Sequence, residues 1–591
     1  MTRNYFRILN VLLGVFGLTI AATTAFGEQL ADGVAPEAAV ALEAKKSGKP
    51  VRSKSWMVAV ANPLAASAAA NVLQKGGTAA DAAIAAQVML GLVEPQSSGM
   101  GGGAFLVYWN ARTREMTTLD GRETAPAAAT PKLFQDKEGN PLKFWNAVIG
   151  GRSVGVPGTP ALLEEMHKRW GKTDWGELIQ PAIERSRNGF VVSPRLAGLV
   201  ASGADRLKIH DVTRAYFFPN GSAIEAGTEL KNPAYAETLA RFAREGAREF
   251  YSGSIAEGIV DTVQGFSTNP GKLTLQDLAN YRVIEREPVC GAYRIYQVCG
   301  MGPPSSGALT VGQILGLLQP YDLTKLGPKN PESWRLVGDA SRLAFADRGR
   351  YMADSDFVKM PTKGLLKPGY LKTRSALLNG KSALSSVLPG EPEWEETRLE
   401  RADDESLEMP STTHFSIVDA DGNMVSMTST IENGFGSRLM TNGFLLNNEL
   451  TDFSFRDQKD GRPIANRVEA NKRPRSSMAP TIVMKDGKPT LVIGSPGGSR
   501  IIGYVAKTII AHIDWGMDIQ QAISSPHLVN RFGVFDVEEG TSATDLVPQL
   551  EKMGFDVSIR NLNSGLHGIA ITETGYEGGA DHRREGVVLG Q

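Results

Sequence analysis

Residues 410–419 read Pro410-Ser411-Thr412-Thr413-His414-Phe415-Ser416-Ile417-Val418-Asp419, and they stand where the chain changes character. Upstream, from 390 to 410, the sequence is acidic and poor in aliphatic side chains, the composition of a surface-exposed or mobile segment. Downstream, 414–418 and 424–431 alternate in polarity around Asp421-Gly422, a strong hairpin signal. On local grounds Thr412 is a β-favouring residue at a strand entry, and His414 a satisfied interior or surface histidine.

A second hairpin is expected beyond it, 481–484 and 491–494 joined through Asp486-Gly487. Toward the N-terminus the periodicity changes to three and four. Residues 64–74 and 79–92 predict helices separated by Gly76-Gly77. Helical patterns dominate from 160 to about 379, including 173–187, 235–246 and 333–347. The chain reads as helix-rich first and strand-rich later, with no internal repeat.

The ends and the composition narrow the function. Arg3 and Arg7 precede an apolar run over 8–22 and a small-residue stretch over 21–27, the layout of a secretory signal. A run of about 15 residues falls short of the ~20 that span a bilayer, which disfavours an anchor. Residues 1–27 are therefore expected to be removed on export to a periplasmic or external space, and 28–55 to form a flexible lead-in. With 42% hydrophobic and 21% charged residues the chain can bury a large core. A net charge of -1 gives no electrostatic case for nucleic acid or an anionic membrane surface. The two cysteines, Cys290 and Cys299, could be bridged across a hairpin or remain buried thiols; their spacing suits neither a metal nor a redox site.

Three familiar signatures are missing: no HExxH, paired CxxC or GxxxxGK[ST] occurs. Gly99-Met100-Gly101-Gly102-Gly103 follows Pro95-Gln96-Ser97-Ser98 rather than a strand, which argues against a dinucleotide turn. Gly497-Gly498 lacks the lysine of a phosphate loop.

A wider set of motifs changes the reading of Thr412. In order along the chain stand Asn62-Pro63-Leu64-Ala65, Gly76-Gly77-Thr78-Ala79-Ala80-Asp81, and Glu94-Pro95-Gln96-Ser97-Ser98-Gly99-Met100-Gly101-Gly102-Gly103. Asp120-Gly121-Arg122-Glu123-Thr124 and Pro303-Pro304-Ser305-Ser306-Gly307 follow, then Thr412-Thr413-His414, Leu446-Asn447-Asn448-Glu449 and Asp452-Phe453-Ser454. Lys472-Arg473-Pro474, Ser476-Ser477-Met478 and Gly494-Ser495-Pro496-Gly497-Gly498 complete the set. So ordered a series over nearly the whole chain resembles the γ-glutamyltranspeptidases, members of the N-terminal nucleophile hydrolases.

That resemblance implies an α/β fold of four layers, αββα, and self-cleavage between Ser411 and Thr412 into a large subunit, 28–411, and a small one, 412–591. Residues 390–411 would become a free acidic tail. The new α-amine of Thr412, with a pKa near ~8, would serve as the base for its own hydroxyl. Thr430 would hold that hydroxyl in line, and the N–H groups of Gly497 and Gly498 would receive the oxyanion. Arg122, Ser476 and Ser477 would bind a substrate carboxylate; Glu449 and Asp452 would accept from its ammonium.

The implied cycle passes a γ-glutamyl group from glutathione or a similar amide, through a threonine ester, to water or an acceptor amine, and calls for no metal or organic cofactor. An acylase acting on glutaryl amides is the rival on the same scaffold, and an unprocessed chain that binds γ-glutamyl compounds or a protein partner without turnover is the rival of another class. Two departures bear on selectivity: Glu432 stands where the family usually carries asparagine, and the stretch from Asp452 to Ser476 is short for a lid.

Overall fold

The computed structural model describes residues 36–394, 400–404, 406 and 408–591. The signal expected over 1–27 lies outside them. Two seven-stranded sheets form the centre. In the first the order is Val587–Gly590, Met57–Val60, Thr413–Val418, Met424–Thr430, Gly103–Asn110, Glu115–Gly121 and Ile284–Arg286. The second runs Val51–Ser53, Gly575–Ala580, His567–Thr572, Lys488–Gly494, Thr481–Lys485, Tyr296–Gly300 and Val289–Tyr293. Every neighbouring pair in both is antiparallel.

Three apolar cores make the layers. Between the sheets lie Met57, Ala59, Val107, Trp109, Val418, Ile482, Val492 and Ile569. On the outer face of the first sheet, Phe415, Ile417 and Met427 pack with helices Pro63–Gln74, Ala79–Val93 and Thr159–Trp170. Outside the second, Ile493 and Val483 meet helices Gly307–Leu318, Pro331–Tyr351 and Ile501–Ile513. Helix, sheet, sheet, helix is the order that buries both faces of both sheets.

The strands themselves explain where the sequence misled. Met57–Val60 and Gly103–Asn110 are buried on both faces, so they carry no alternation and their apolar runs give no strand period. The N-terminal half thus supplies strands to both sheets, and the division into a helical half and a stranded half does not hold. Both hairpins and all the named helices are present, within a few residues of their expected bounds.

The flexible lead-in is also corrected, because its described part is ordered: Pro36–Lys46 is a helix whose alanines favour that state, and Val51–Ser53 pairs with Gly578 to Tyr576. Cys290 and Cys299 face each other on adjacent strands and are bridged.

Candidate active site

Thr412 sits at the head of strand Thr413–Val418 and is 4% exposed. Its Oγ1 lies 3.0 Å from Oγ1 of Thr430, at the end of the neighbouring strand, and Thr430 Oγ1 accepts the backbone N–H of Glu432 at 2.9 Å. The carbonyl of Thr412 accepts from Arg584 Nη1 at 2.9 Å. The carbonyl of Ser411, in the peptide bond that precedes Thr412, accepts the N–H of Gly497 at 3.1 Å. The threonine hydroxyl, its threonine neighbour and an amide aimed at the adjoining carbonyl are thus already assembled.

Two backbone features build this corner. Thr412 has φ +84°, a region that a β-branched side chain avoids at a cost of about 1–3 kcal/mol. Gly497 and Gly498 have φ of +139° and +57°; a Cβ on Gly498 would stand 2.5 Å from the carbonyl oxygens of Glu408 and Met409. Only glycine lets the turn press against the chain that leads into Thr412.

Beside the threonines is a cavity of about 10 Å³, lined by Arg122, Glu408, Met409, Thr412, Thr430, Glu432, Glu449, Asp452, Ser476 and Gly498 among others. That is room for about one water and no substrate. Of the catalytic and substrate-binding residues singled out from sequence, all but Gly497 and Ser477 line it; Gly497 donates to the Ser411 carbonyl, and Ser477 accepts from Arg348 Nη2 at 2.8 Å.

The charges are tightly coupled. Arg122 gives Nη1 to Glu449, Nη2 to Asp452 at 2.6 Å and to the carbonyl of Arg475 at 2.9 Å, and Nε to the carbonyl of Pro474 at 3.2 Å. Burial opposes its charge, but Glu449 and Asp452 outweigh burial and hold the guanidinium above its usual range. Burial lifts Glu449 and Asp452 well above ordinary carboxylates and Glu123 to about 7, since one guanidinium cannot keep three buried carboxyls ionised. Glu432 is likewise lifted by burial to about 7; its Oε2 accepts from Asn448 Nδ2 at 2.5 Å and its Oε1 from the N–H of Met409 at 3.2 Å.

The acidic stretch before Thr412 departs from its expected exposure. Ala402, Asp404, Glu408 and Ser411 are buried, because arginines meet its carboxylates inside the protein. Arg350 pairs with Asp403, Arg475 with Asp404 at 3.0 Å, and Arg348 with Glu408. Arg348, Arg475, Arg584, Glu123 and Glu408 were not singled out from the sequence. Glu123 sits inside a motif that was and Arg475 between two that were, while Arg348 falls one residue beyond the predicted helix end at 347, in the last turn of Pro331–Tyr351.

Comparison with known proteins identifies the family. Residues 65–591 match the family model described as Gamma-glutamyltranspeptidase. The chain is 38% identical over 549 residues to a glutathione hydrolase proenzyme of Bacillus subtilis (strain 168), covering 91% of this chain and 92% of that one. Among solved structures, a cephalosporin acylase from Bacillus halodurans superimposes with a TM-score of 0.81 at 26% identity, covering 92% of this chain and 97% of that one. A Helicobacter pylori γ-glutamyltranspeptidase chain gives 0.54 at 36% identity, covering 56% of this chain and 94% of that one. The chain belongs to the γ-glutamyltranspeptidase family and has the αββα fold of the N-terminal nucleophile hydrolases.

Proposed function

We propose that this chain is an exported proenzyme that severs the bond between Ser411 and Thr412 and then, as a γ-glutamyltransferase and glutathione hydrolase, moves γ-glutamyl groups to water or to amino acid and peptide acceptors. The observation that carries the reading is the meeting, around one peptide bond, of the Thr412 hydroxyl, the Thr430 hydroxyl at 3.0 Å and the Gly497 N–H at 3.1 Å from the Ser411 carbonyl oxygen.

In the first step Thr412 Oγ1 adds to the Ser411 carbonyl carbon, and the oxyanion forms on an oxygen already held by Gly497. Collapse breaks the C–N bond, leaves Ser411 esterified to the threonine oxygen and frees the α-amine; water then hydrolyses the ester. Relief of the strained φ at Thr412 favours the cut. In the second step the free amine takes the hydroxyl proton, Oγ1 attacks the γ-carbonyl of a donor, and the same amine returns the proton to the departing amine. Water or an acceptor amine then attacks the γ-glutamyl ester. Glu449 and Asp452 offer carboxyls for the donor's ammonium, the feature that favours γ-glutamyl over glutaryl amides.

The likeness to a cephalosporin acylase supports a second reading, an amidase for glutaryl compounds. Parallel assays of the processed protein on γ-glutamyl and glutaryl anilides decide between them: faster turnover of the γ-glutamyl compound is expected, and the reverse order would replace the first reading with the second. N-terminal sequencing of the smaller fragment should begin at Thr412; any other start removes that residue from its role.

A further inference from the structure

Arg584 is a buried cation bonded only to neutral oxygens. At 5% exposure it gives Nη1 to the carbonyl of Thr412 at 2.9 Å and Nε to Asn563 Oδ1 at 3.1 Å. Among the described residues no carboxylate comes within ion-pair distance of it. The acids around it are engaged elsewhere. Asp581 accepts from Nη1 and from the N–H of Arg583, both at 3.0 Å, and Glu585 accepts the N–H of Arg195 at 3.0 Å. Glu94 has Oε1 3.7 Å from Arg195 Nη1, and burial raises its carboxyl toward the neutral form.

The fold nevertheless secures this cation. Lys45 Nζ donates to the carbonyls of Arg584 at 3.0 Å and Gly586 at 2.6 Å, and Gly565 leaves room for the side chain, since a Cβ there would stand 2.7 Å from Arg584 Cδ. Burial and the repulsion of Arg195 draw Arg584 down to about 9 against the pull of Glu94 and Asp581, so it stays charged at neutral pH. A buried charge without an ion partner is strongly disfavoured, and its retention calls for a use.

What the guanidinium meets is the residue of the nucleophile. Once the bond to Ser411 is gone, the Thr412 carbonyl is the last fixed point before the free amine. The carbonyl oxygen and α-nitrogen of one residue lie about 3 Å apart, which puts Nη1 within about 6 Å of that amine. A buried cation at such range favours the neutral amine. An ordinary α-amine, with a pKa near ~8, is mostly protonated at pH 7 and cannot take the hydroxyl proton.

We propose that Arg584 is a positioning residue for acyl transfer: its bond to the Thr412 carbonyl fixes the freed threonine, and its unpaired charge keeps the new α-amine neutral and able to act as base. The inference rests on the proposed role of that amine. Other charged groups surround it, Arg122, Glu408, Glu432, Glu449 and Asp452 across the cavity and, on its own strand, His414, which burial and His567 keep neutral. Behind Arg584 stand Arg195, Glu94, Asp581 and Tyr504. Glu432, at about 7, also titrates near neutrality, but it is governed chiefly by burial, Asn448, Met409, Arg438 and Glu408. A change in Arg584 is therefore read at the amine.

The test is the pH dependence of kcat/KM of the processed enzyme on its preferred anilide. Arg584→Gln keeps a donor and loses the charge, so the midpoint of the acid limb should rise by about one pH unit, with a loss of about tenfold at pH 6 and under about threefold at pH 9. Arg584→Lys keeps the charge, and its midpoint should stay within about 0.3 unit of the parent's. Arg584→Leu loses both, so its limb should move as in the glutamine variant and kcat should also fall by about 10- to 100-fold at pH 9. An unmoved limb in Arg584→Gln, or one that moves equally in Arg584→Lys, overturns the proposal. A smaller fragment that begins elsewhere than Thr412 defeats the underlying reading instead.

The parent enzyme supplies a measurement that no failure of a variant to mature can remove. Trace acetylation with acetic anhydride counts neutral amines, and mass spectrometry of the Thr412 peptide gives its yield against pH. The midpoint should lie below about 7.5, whereas a value of about 7.5 or above overturns the assignment of the charge.

Discussion

The chain on either side of Thr412 is held in place by opposite kinds of force. The six residues after it, Thr413–Val418, are all buried, hydrogen-bonded to Met424–Thr430 on one edge and to Met57–Val60 on the other, with Phe415, Ile417 and Val418 in apolar cores. The residues before it form no strand among those described. They are fastened by Asp403 to Arg350, Asp404 to Arg475 and Glu408 to Arg348, and by the N–H of Met409 to Glu432. A ladder between two cores has no better alternative in water. Ion pairs do, because water solvates both partners once the chain end is free. The proposed cut would thus separate a side built to stay from a side built to let go, and would leave the strands of both fragments interleaved in each sheet.

The comparison breaks most completely at the threonine itself. Thr412→Ala should leave one full-length band on a denaturing gel and no detectable anilide turnover, since it removes the hydroxyl that both steps need. Any smaller fragment from that variant means the bond is cut by another group. Next in size is Gly497→Ala. Its φ of +139° strains an L-side chain and the altered turn misaims the N–H on Ser411, so fragment formation and kcat should both fall by about 10²- to 10³-fold, the usual effect of losing one oxyanion donor. A variant that matures at the parent rate would take Gly497 out of the oxyanion site.

The order of these effects also marks what could be read in advance. Thr412, Thr430 and the paired glycines, which the fold brings together, were legible because each lies in a short motif or at a patterned strand end. Strands such as Gly103–Asn110 were not, because burial on both faces erases the period that identifies a strand. The acidic stretch misled for a related reason: composition reports what water would prefer, and it cannot show that Arg348 and Arg475, one of them some sixty residues away, wait inside for those carboxylates. Arg122, singled out from its motif, lines the cavity beside Thr412, yet its pairing with Glu449 and Asp452 is a fact of three dimensions that no spacing predicts.

Stability measurements sharpen the contrast further. Phe415→Ala should cost about 3–5 kcal/mol in the uncut Thr412→Ala chain and a similar amount in the processed protein, because the strand it empties persists in both. Glu408→Gln should cost about as much in the uncut chain, where it leaves Arg348 without its carboxylate, and nearly nothing after processing. Denaturant titration of the four variants and their two parents is sufficient. An equal loss from Glu408→Gln before and after the cut would mean that the acidic end stays docked, and the two sides of Thr412 would no longer differ as described.

The smallest expected effect concerns pH and Glu432, which ties the releasable side to the permanent one through Met409. Burial raises its carboxyl to about 7, against about 4.3 in an unfolded chain. Between those values the folded uncut chain holds a proton that the unfolded chain has lost, so its stability from this group is complete below about pH 4 and declines as pH rises through about 7. Glu432→Gln, placed in the Thr412→Ala background, should therefore reduce the fall in melting temperature between pH 5 and pH 7.5. The reduction should be partial. Glu123, Glu449 and Asp452 are raised by burial in the same direction and keep their own share of the slope, while hydrogen bonds from Asn448 and Met409 already oppose the shift at Glu432. An unchanged or steeper fall in the glutamine variant would show that Glu432 is ionised throughout that range, and that the link between the two sides is a hydrogen bond to a carboxylate rather than to a neutral carboxyl.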